Sequence, residues 1–148
     1  TEDYPDGSPR AAWSARITPG GRYLLDGQET TYYPDGTIEY SALYQNGLRD
    51  TATYFAPDGT QLWTWDYDNG SNTAVWTQYW PNGNRKLRSS WKTFPQIEVM
   101  TGYRSSKDRN VRGLIAHGTT YHYDQTGSVT DTYSFDMGCQ GGSWSCVD

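Results

Sequence analysis

Both histidines of the chain stand in one short run, His117-Gly118-Thr119-Thr120-Tyr121-His122-Tyr123, just downstream of a strongly basic segment. Tyrosine or histidine beside arginine is the set that eliminates across a uronic acid. A cation neutralises the carboxylate so that the adjacent proton becomes acidic, one Tyr or His removes it, and another Tyr protonates the leaving oxygen. The candidates are Tyr121, His122 and His117 as acid and base, with Arg88 or Arg112 as the neutraliser. Lone histidines also serve structural roles, and spacing does not choose between the two.

Charge is distributed unevenly. Eight of the twelve basic residues lie between positions 85 and 112, including Arg88, Lys107, Arg109 and Arg112, although the whole chain carries a net charge of -5. A basic field on an acidic protein suggests an anionic ligand. Pairing with carboxylates on neighbouring strands is the other account. The negative balance argues against nucleic acid as the partner.

Aromatic residues make up 16% of the chain, thirteen Tyr and seven Trp against three Phe. These rings pack through their faces while their edges stay hydrogen-bonded or wet. Tyr33, Tyr54, Trp76 and Trp80, joined by His122, fall at positions that alternation assigns to a polar face, so a strand core does not account for them. A row of exposed Tyr and Trp is what stacking on sugar rings or bases requires. A covering second layer or a partner copy would also explain it, and the oligomeric state is open.

Other signals are weaker. Asp66-Tyr67-Asp68-Asn69-Gly70 partly resembles a calcium loop without its later acidic ligand. Glu39 and Asp66 fall on one expected face and would suit a glycosidase pair. No phosphate loop, nucleophile elbow or dinucleotide fingerprint occurs, and no metal or cofactor is expected. Cys139 and Cys146 flank Gly141-Gly142-Ser143-Trp144 and are read as a disulfide closing a small loop in an oxidising compartment. Two free thiols or a zinc pair are the alternatives, though zinc wants four ligands. No apolar run approaches the ~20 residues of a membrane span. The opening Thr1-Glu2-Asp3 suits a processed, exported protein.

The elements that must position these residues are marked by a recurring turn: Tyr4-Pro5-Asp6-Gly7, Tyr33-Pro34-Asp35-Gly36, Ala56-Pro57-Asp58-Gly59, Trp80-Pro81-Asn82-Gly83 and a looser Asp124-Gln125-Thr126-Gly127. The glycines are 29, 23, 24 and 44 residues apart, and the doubled interval leaves room for a degenerate unit near residue 105. Counted from each glycine, rings collect at even offsets (Tyr32 before it, Tyr40 and Tyr44 after it) and polar residues mostly at odd ones, the period of strands with one buried face. Asn46-Gly47, Asn69-Gly70 and Met137-Gly138 give a second turn signal.

The expected fold is all-β, an elongated antiparallel sheet or meander of stacked β-hairpin repeats, in which each unit needs its neighbour to bury a face. A single repeat domain spans 1–148, with an eroded first unit over 1–22, regular units over 23–94, an irregular insertion over 95–117, a last unit over 118–138 and a disulfide-pinned cap over 139–148.

Tyr32-Tyr33-Pro34-Asp35-Gly36 with Tyr44-Gln45-Asn46-Gly47, and Phe55-Ala56-Pro57-Asp58-Gly59 with Tyr67-Asp68-Asn69-Gly70, resemble MORN-type repeats of the bacterial variant. The resemblance covers roughly 27–94 and 118–138. It implies a hairpin array, found in scaffolds, surface proteins and supposed antitoxins, rather than a reaction.

The expected function is a secreted, periplasmic or cell-surface protein that binds polysaccharide, with an acidic glycan as the partner. Tyr33, Tyr54, Trp76 and Trp80 would form the platform, with Arg88, Lys107, Arg109 and Arg112 meeting acidic groups. The alternatives are a small polysaccharide lyase built on the Tyr/His/Arg set and a protein-binding scaffold or immunity protein.

Overall fold

The computed structural model describes residues 1–93 and 114–136, together with the backbone of 139–140. Twelve strands occur among them: β1 (Glu2–Asp3), β2 (Pro9–Ile17), β3 (Tyr23–Tyr32), β4 (Ile38–Gln45), β5 (Leu48–Phe55), β6 (Gln61–Asp68), β7 (Thr73–Tyr79), β8 (Arg85–Thr93), β9 (Leu114–Ala116), β10 (Gly118–Tyr123), β11 (Val129–Asp136) and β12 (Cys139–Gln140). They form one antiparallel sheet in chain order, except that β8 pairs with both β9 and β10. No helix occurs among the described residues.

The Pro-Asp-Gly turns form as their chemistry dictates. In the second, Gly36 N–H donates to the Tyr33 carbonyl at 2.9 Å and Tyr33 N–H to the Thr37 carbonyl at 2.8 Å, with Gly36 at φ 86°. This is the three-residue hairpin loop in which proline presets the first corner and glycine takes the left-handed position. The Asp35 carboxylate accepts from Thr37 N–H at 2.9 Å and Thr37 Oγ1 at 2.6 Å. Thr18-Pro19-Gly20-Gly21 makes a sixth turn of this geometry, with Gly21 at φ 74°. It lacks the Asp, which is why the repeat pattern missed it.

These carboxylates make the turns acid-sensitive. Hydrogen bonds from the Thr37 hydroxyl and then its N–H hold Asp35 below its ordinary value, and Asp6, Asp58 and Asp124 are lowered by the same kind of bond. A carboxyl lowered on folding contributes stability that is present above its unfolded pKa, near 4, and lost as pH falls through the lower folded value. The Asn82 turn makes the equivalent bond, Asn84 N–H to Asn82 Oδ1 at 3.0 Å, without a charge. Asp35→Asn is therefore expected to leave the fold intact and to flatten the fall in melting temperature between about pH 5 and pH 2. An unchanged slope would show that the turn carboxylates do not set acid stability.

Asn46-Gly47 closes β4 to β5 with φ of 54° and 80°, the two-residue turn its sequence predicts. Asn69-Gly70 does not repeat it. Asp68 and Thr73 oppose each other across a four-residue loop whose left-handed residue is Asn72, at φ 56°. The Asp68 carboxylate there accepts from Gly70 N–H and Ser71 Oγ, at 2.9 and 2.7 Å. Among the described residues no group of three or more His, Cys, Asp or Glu side chains gathers to hold a metal ion, so the calcium-loop reading gains no support. Met137-Gly138 lies outside them.

Most of the doubled glycine interval, residues 94–113, lies outside the described residues. Beyond it Thr93 opposes Leu114 and Trp91 opposes Ala116, so β9 and β10 both pair with β8. Of the expected insertion over 95–117, Leu114–Ala116 forms β9 and residues 95–113 lie outside the described residues. Four residues lie between Ala116 and Tyr121 but only two between their partners Trp91 and Arg88, and Gly118 at φ 91° absorbs the excess. The same device bends β3, where Leu25 to Glu29 faces Trp13 to Ala15 around Gly27 at φ 106°.

Among the described residues the buried ones are small or polar: Ala42, Ala52, Ala74, Thr30, Thr77, Ser89, Asp50 and, alone among the described rings, Tyr67. Among the described residues no large side chain is fully buried. A sheet one layer thick covers only what its own larger neighbours overhang, so stability comes from cross-strand pairs and from unit-to-unit contacts. One such contact recurs. Tyr4 Oη donates to the Tyr32 carbonyl at 2.7 Å, Tyr33 Oη to the Phe55 carbonyl at 2.7 Å, and Trp80 Nε1 to the Tyr123 carbonyl at 3.0 Å. The aromatic residue of each of these turns thus clasps the next unit.

Candidate functional site

Side-chain facing depends on a feature that the offsets do not reveal. In all five Pro-Asp-Gly-type hairpins the third residue past the glycine is an unpaired bulge: Arg10, Glu39, Leu62, Lys86 and Thr130. Tyr32 pairs with Ile38 but Thr31 with Tyr40, and the extra residue moves everything beyond it to the other face. Tyr32 and Tyr40, expected on one side, therefore lie on opposite sides. Tyr54 and Trp76, expected on a polar side away from Tyr40, join it.

Directly opposed residues share a face, so one row reads Tyr40, Tyr54, Trp63, Gln78, Leu87, His122 across β4 to β10. The next row reads Ala42, Ala52, Trp65, Trp76, Ser89. The result is a belt of half-buried rings crossing the strands. Tyr54 and Trp63 are stacked with centroids 5.8 Å apart, and Tyr40 lies 6.0 Å from Trp63, tilted. Trp63 and Trp65, four and six residues past Gly59 and so at the even offsets expected to face a core, also belong to the belt.

Polar groups are set among these rings. Tyr54 Oη donates to Glu39 Oε1 at 3.0 Å, and Thr31 Oγ1 to Glu39 Oε2 at 3.2 Å. Arg49 lies 5.2 Å from the centre of the Trp65 ring and Lys86 4.7 Å from that of Trp80, cation–π contacts that tie up both cations. Burial, followed by the Tyr40 hydroxyl, pushes the Tyr44 hydroxyl far up. The Glu39 bond, followed by burial, pushes Tyr54 to about 12. A raised tyrosine pKa means that the stability of this bond is full below pH ~10 and lost as pH rises through about 12. Glu39→Gln is expected to bring Tyr54 back toward 10 in a spectrophotometric titration; no movement would mean that Glu39 is not the cause.

The remaining candidates divide between the faces. Tyr33 and Trp80 stand at the turn end, where their polar edges make the clasps described above. Arg88 is opposite Thr77 and Tyr121, on the face away from the rings, so it cannot serve the platform as expected. Tyr121 and His122 are neighbours on one strand and point to opposite faces, which separates two members of the elimination set. His122 instead sits edge-on to Tyr133 at 5.5 Å. His117, at the bulge, has Nδ1 3.3 Å from Asp136 Oδ1. Glu39 and Asp66 also end on opposite faces, since Glu39 bonds Tyr54 while Asp66 opposes Thr51 and Val75, and this removes the glycosidase pair. Lys107, Arg109, Arg112, Cys146 and the Cys139 side chain lie outside the described residues.

A one-layer sheet of hairpin units, each clipped by a Pro-Asp-Gly-type turn, defines a β-repeat protein. The MORN repeat variant family matches residues 25–46, from the bulge of β3 to the Asn-Gly turn after β4, consistent with a MORN-type repeat protein. No curated protein and no solved structure matches it. Among the described residues no helix is long and apolar enough to cross a membrane.

Proposed function

We propose that this is a secreted or cell-surface protein that binds polysaccharide, holding a glycan chain across the ring belt of β4 to β7. The observation that carries the reading is the belt itself: Tyr40, Tyr54, Trp63, Trp65 and Trp76 gathered on one face of a single layer, beside Glu39 and tyrosine hydroxyls. Apolar ring area next to hydrogen-bonding groups is what a sugar presents in complement. The two closely spaced cysteines support an oxidising compartment. Affinity electrophoresis against a panel of neutral and acidic polysaccharides tests the reading. Retardation by at least one glycan is expected. No retardation by any, with a stoichiometric protein partner co-purifying, would replace the glycan with a protein and make the chain a scaffold.

A lyase is the second reading. It is supported by Arg88 and Tyr121 being directly opposed on one face, a carboxylate neutraliser beside a tyrosine. Incubation with uronate-containing glycans would then release an ultraviolet-absorbing unsaturated product, abolished by Tyr121→Phe. Absence of that product on all of them eliminates it.

A further inference from the structure

The face opposite the rings carries a row of its own. Thr30, Ser41, Thr53, Thr64 and Thr77 are directly opposed on five successive strands, and the row runs on into Arg88 and then Tyr121. Neighbouring strands are ~4.8 Å apart, so hydroxyls recur at that spacing over roughly 19 Å before the guanidinium is reached. Thr30 and Thr77 are buried while Ser41, Thr53 and Thr64 are half-buried, so the row lies low. On its turn side stand larger residues, Tyr32, Phe55, Tyr79 and Tyr123, one from each incoming strand. Tyr79 Oη lies 3.3 Å from Thr64 Oγ1. Arg85, opposite Tyr79, adds a second positive charge at the same end of the row.

We propose that this threonine row, ending at Arg88, is a second ligand track, which takes the linear chain of an acidic polysaccharide laid across the strands. Hydroxyls at strand spacing can donate to and accept from a polyhydroxylated chain at each step. The guanidinium supplies the planar fork that holds a carboxylate with two parallel bonds. Neither feature serves the ring belt, so the track stands or falls separately from the reading above.

The test uses the full chain with polygalacturonate and its fully methyl-esterified form as probes, in isothermal titration at low and high salt. Polygalacturonate is expected to bind more tightly than the ester, with the difference shrinking as salt is raised. Arg88→Gln should weaken polygalacturonate roughly ten- to hundredfold and leave the ester unchanged. Thr53→Val and Thr64→Val together should weaken both probes. Trp76→Ala, on the other face, should leave the ratio between the probes as in the parent. Melting curves matching the parent confirm that each variant is folded, and Arg88→Lys, which keeps the charge without the fork, should recover only part of the loss. Equal binding of the two probes, or Arg88→Gln binding polygalacturonate like the parent, overturns the proposal. Competition by a single-stranded oligonucleotide that needs Arg88 and outcompetes polygalacturonate would also overturn it, by making the track a nucleic-acid site.

Discussion

Gly27→Val is expected to be the most damaging single substitution in the regular part of the sheet, lowering stability by about 3 kcal/mol. Two penalties coincide at this position. Its φ of +106° is a conformation that a β-branched residue adopts only under strain. A Cβ there would also stand 3.0 Å from Ser14 Cβ, on the neighbouring strand, tighter than ordinary contact, so Ser14 must move aside. Gly36 separates the two effects. It shares a positive φ, +86°, but a Cβ would meet nothing within 4 Å, so Gly36→Val should cost only the conformational part, about 1–2 kcal/mol. At a few degrees per kcal/mol for a chain of this size, the pair should differ visibly in thermal melts. Equal losses at the two sites would show that the contact with Ser14 relaxes freely. Gly118, at φ +91° with Ser90 Cβ 3.5 Å away, should fall between them.

The largest functional effect is expected from Trp76→Ala. Stacked aromatic contacts contribute roughly 1–3 kcal/mol each, so its loss should weaken whichever glycan retards the parent by about ten- to hundredfold. Trp76→Phe keeps a ring and should lose much less. Tyr23→Ala provides the control: this ring is exposed at the start of β3, on the ring face but four strands from Trp76 and outside the β4 to β7 belt, its hydroxyl accepting from Trp13 Nε1, and its loss should leave binding intact. The expected order is parent and Tyr23→Ala together, then Trp76→Phe, then Trp76→Ala, with circular dichroism unchanged throughout. Full binding by Trp76→Ala would remove the belt as the site.

Much of the architecture was legible because its signals are local. Proline restricts φ, an Asp or Asn side chain caps the backbone two residues on, and glycine accepts positive φ whatever surrounds it. Thus Tyr33-Pro34-Asp35-Gly36 and Asn46-Gly47 specify their turns within four residues, and the strands between them follow. The site was legible only in part. Tyr54 and Trp76 share a face, but it is the aromatic one rather than the polar one expected of them, while Tyr33 and Trp80 sit at the turns and clasp the next unit. Arg88 was placed beside the rings and belongs on the other side.

The composition and punctuation of the chain by themselves determined a meander of hairpins with an interrupted fourth interval. Only the tertiary structure decided which side chains meet. A bulge at Glu39 or Lys86 arises when two strands pair, and it carries no mark in residue type, since Arg, Glu, Leu, Lys and Thr all occupy that position. Because side chains alternate with a period of two, that single extra residue is enough to exchange the faces. Alternation along β10 then sends Tyr121 to the side of Arg88 and His122 to that of the rings, dividing a constellation that is contiguous in sequence.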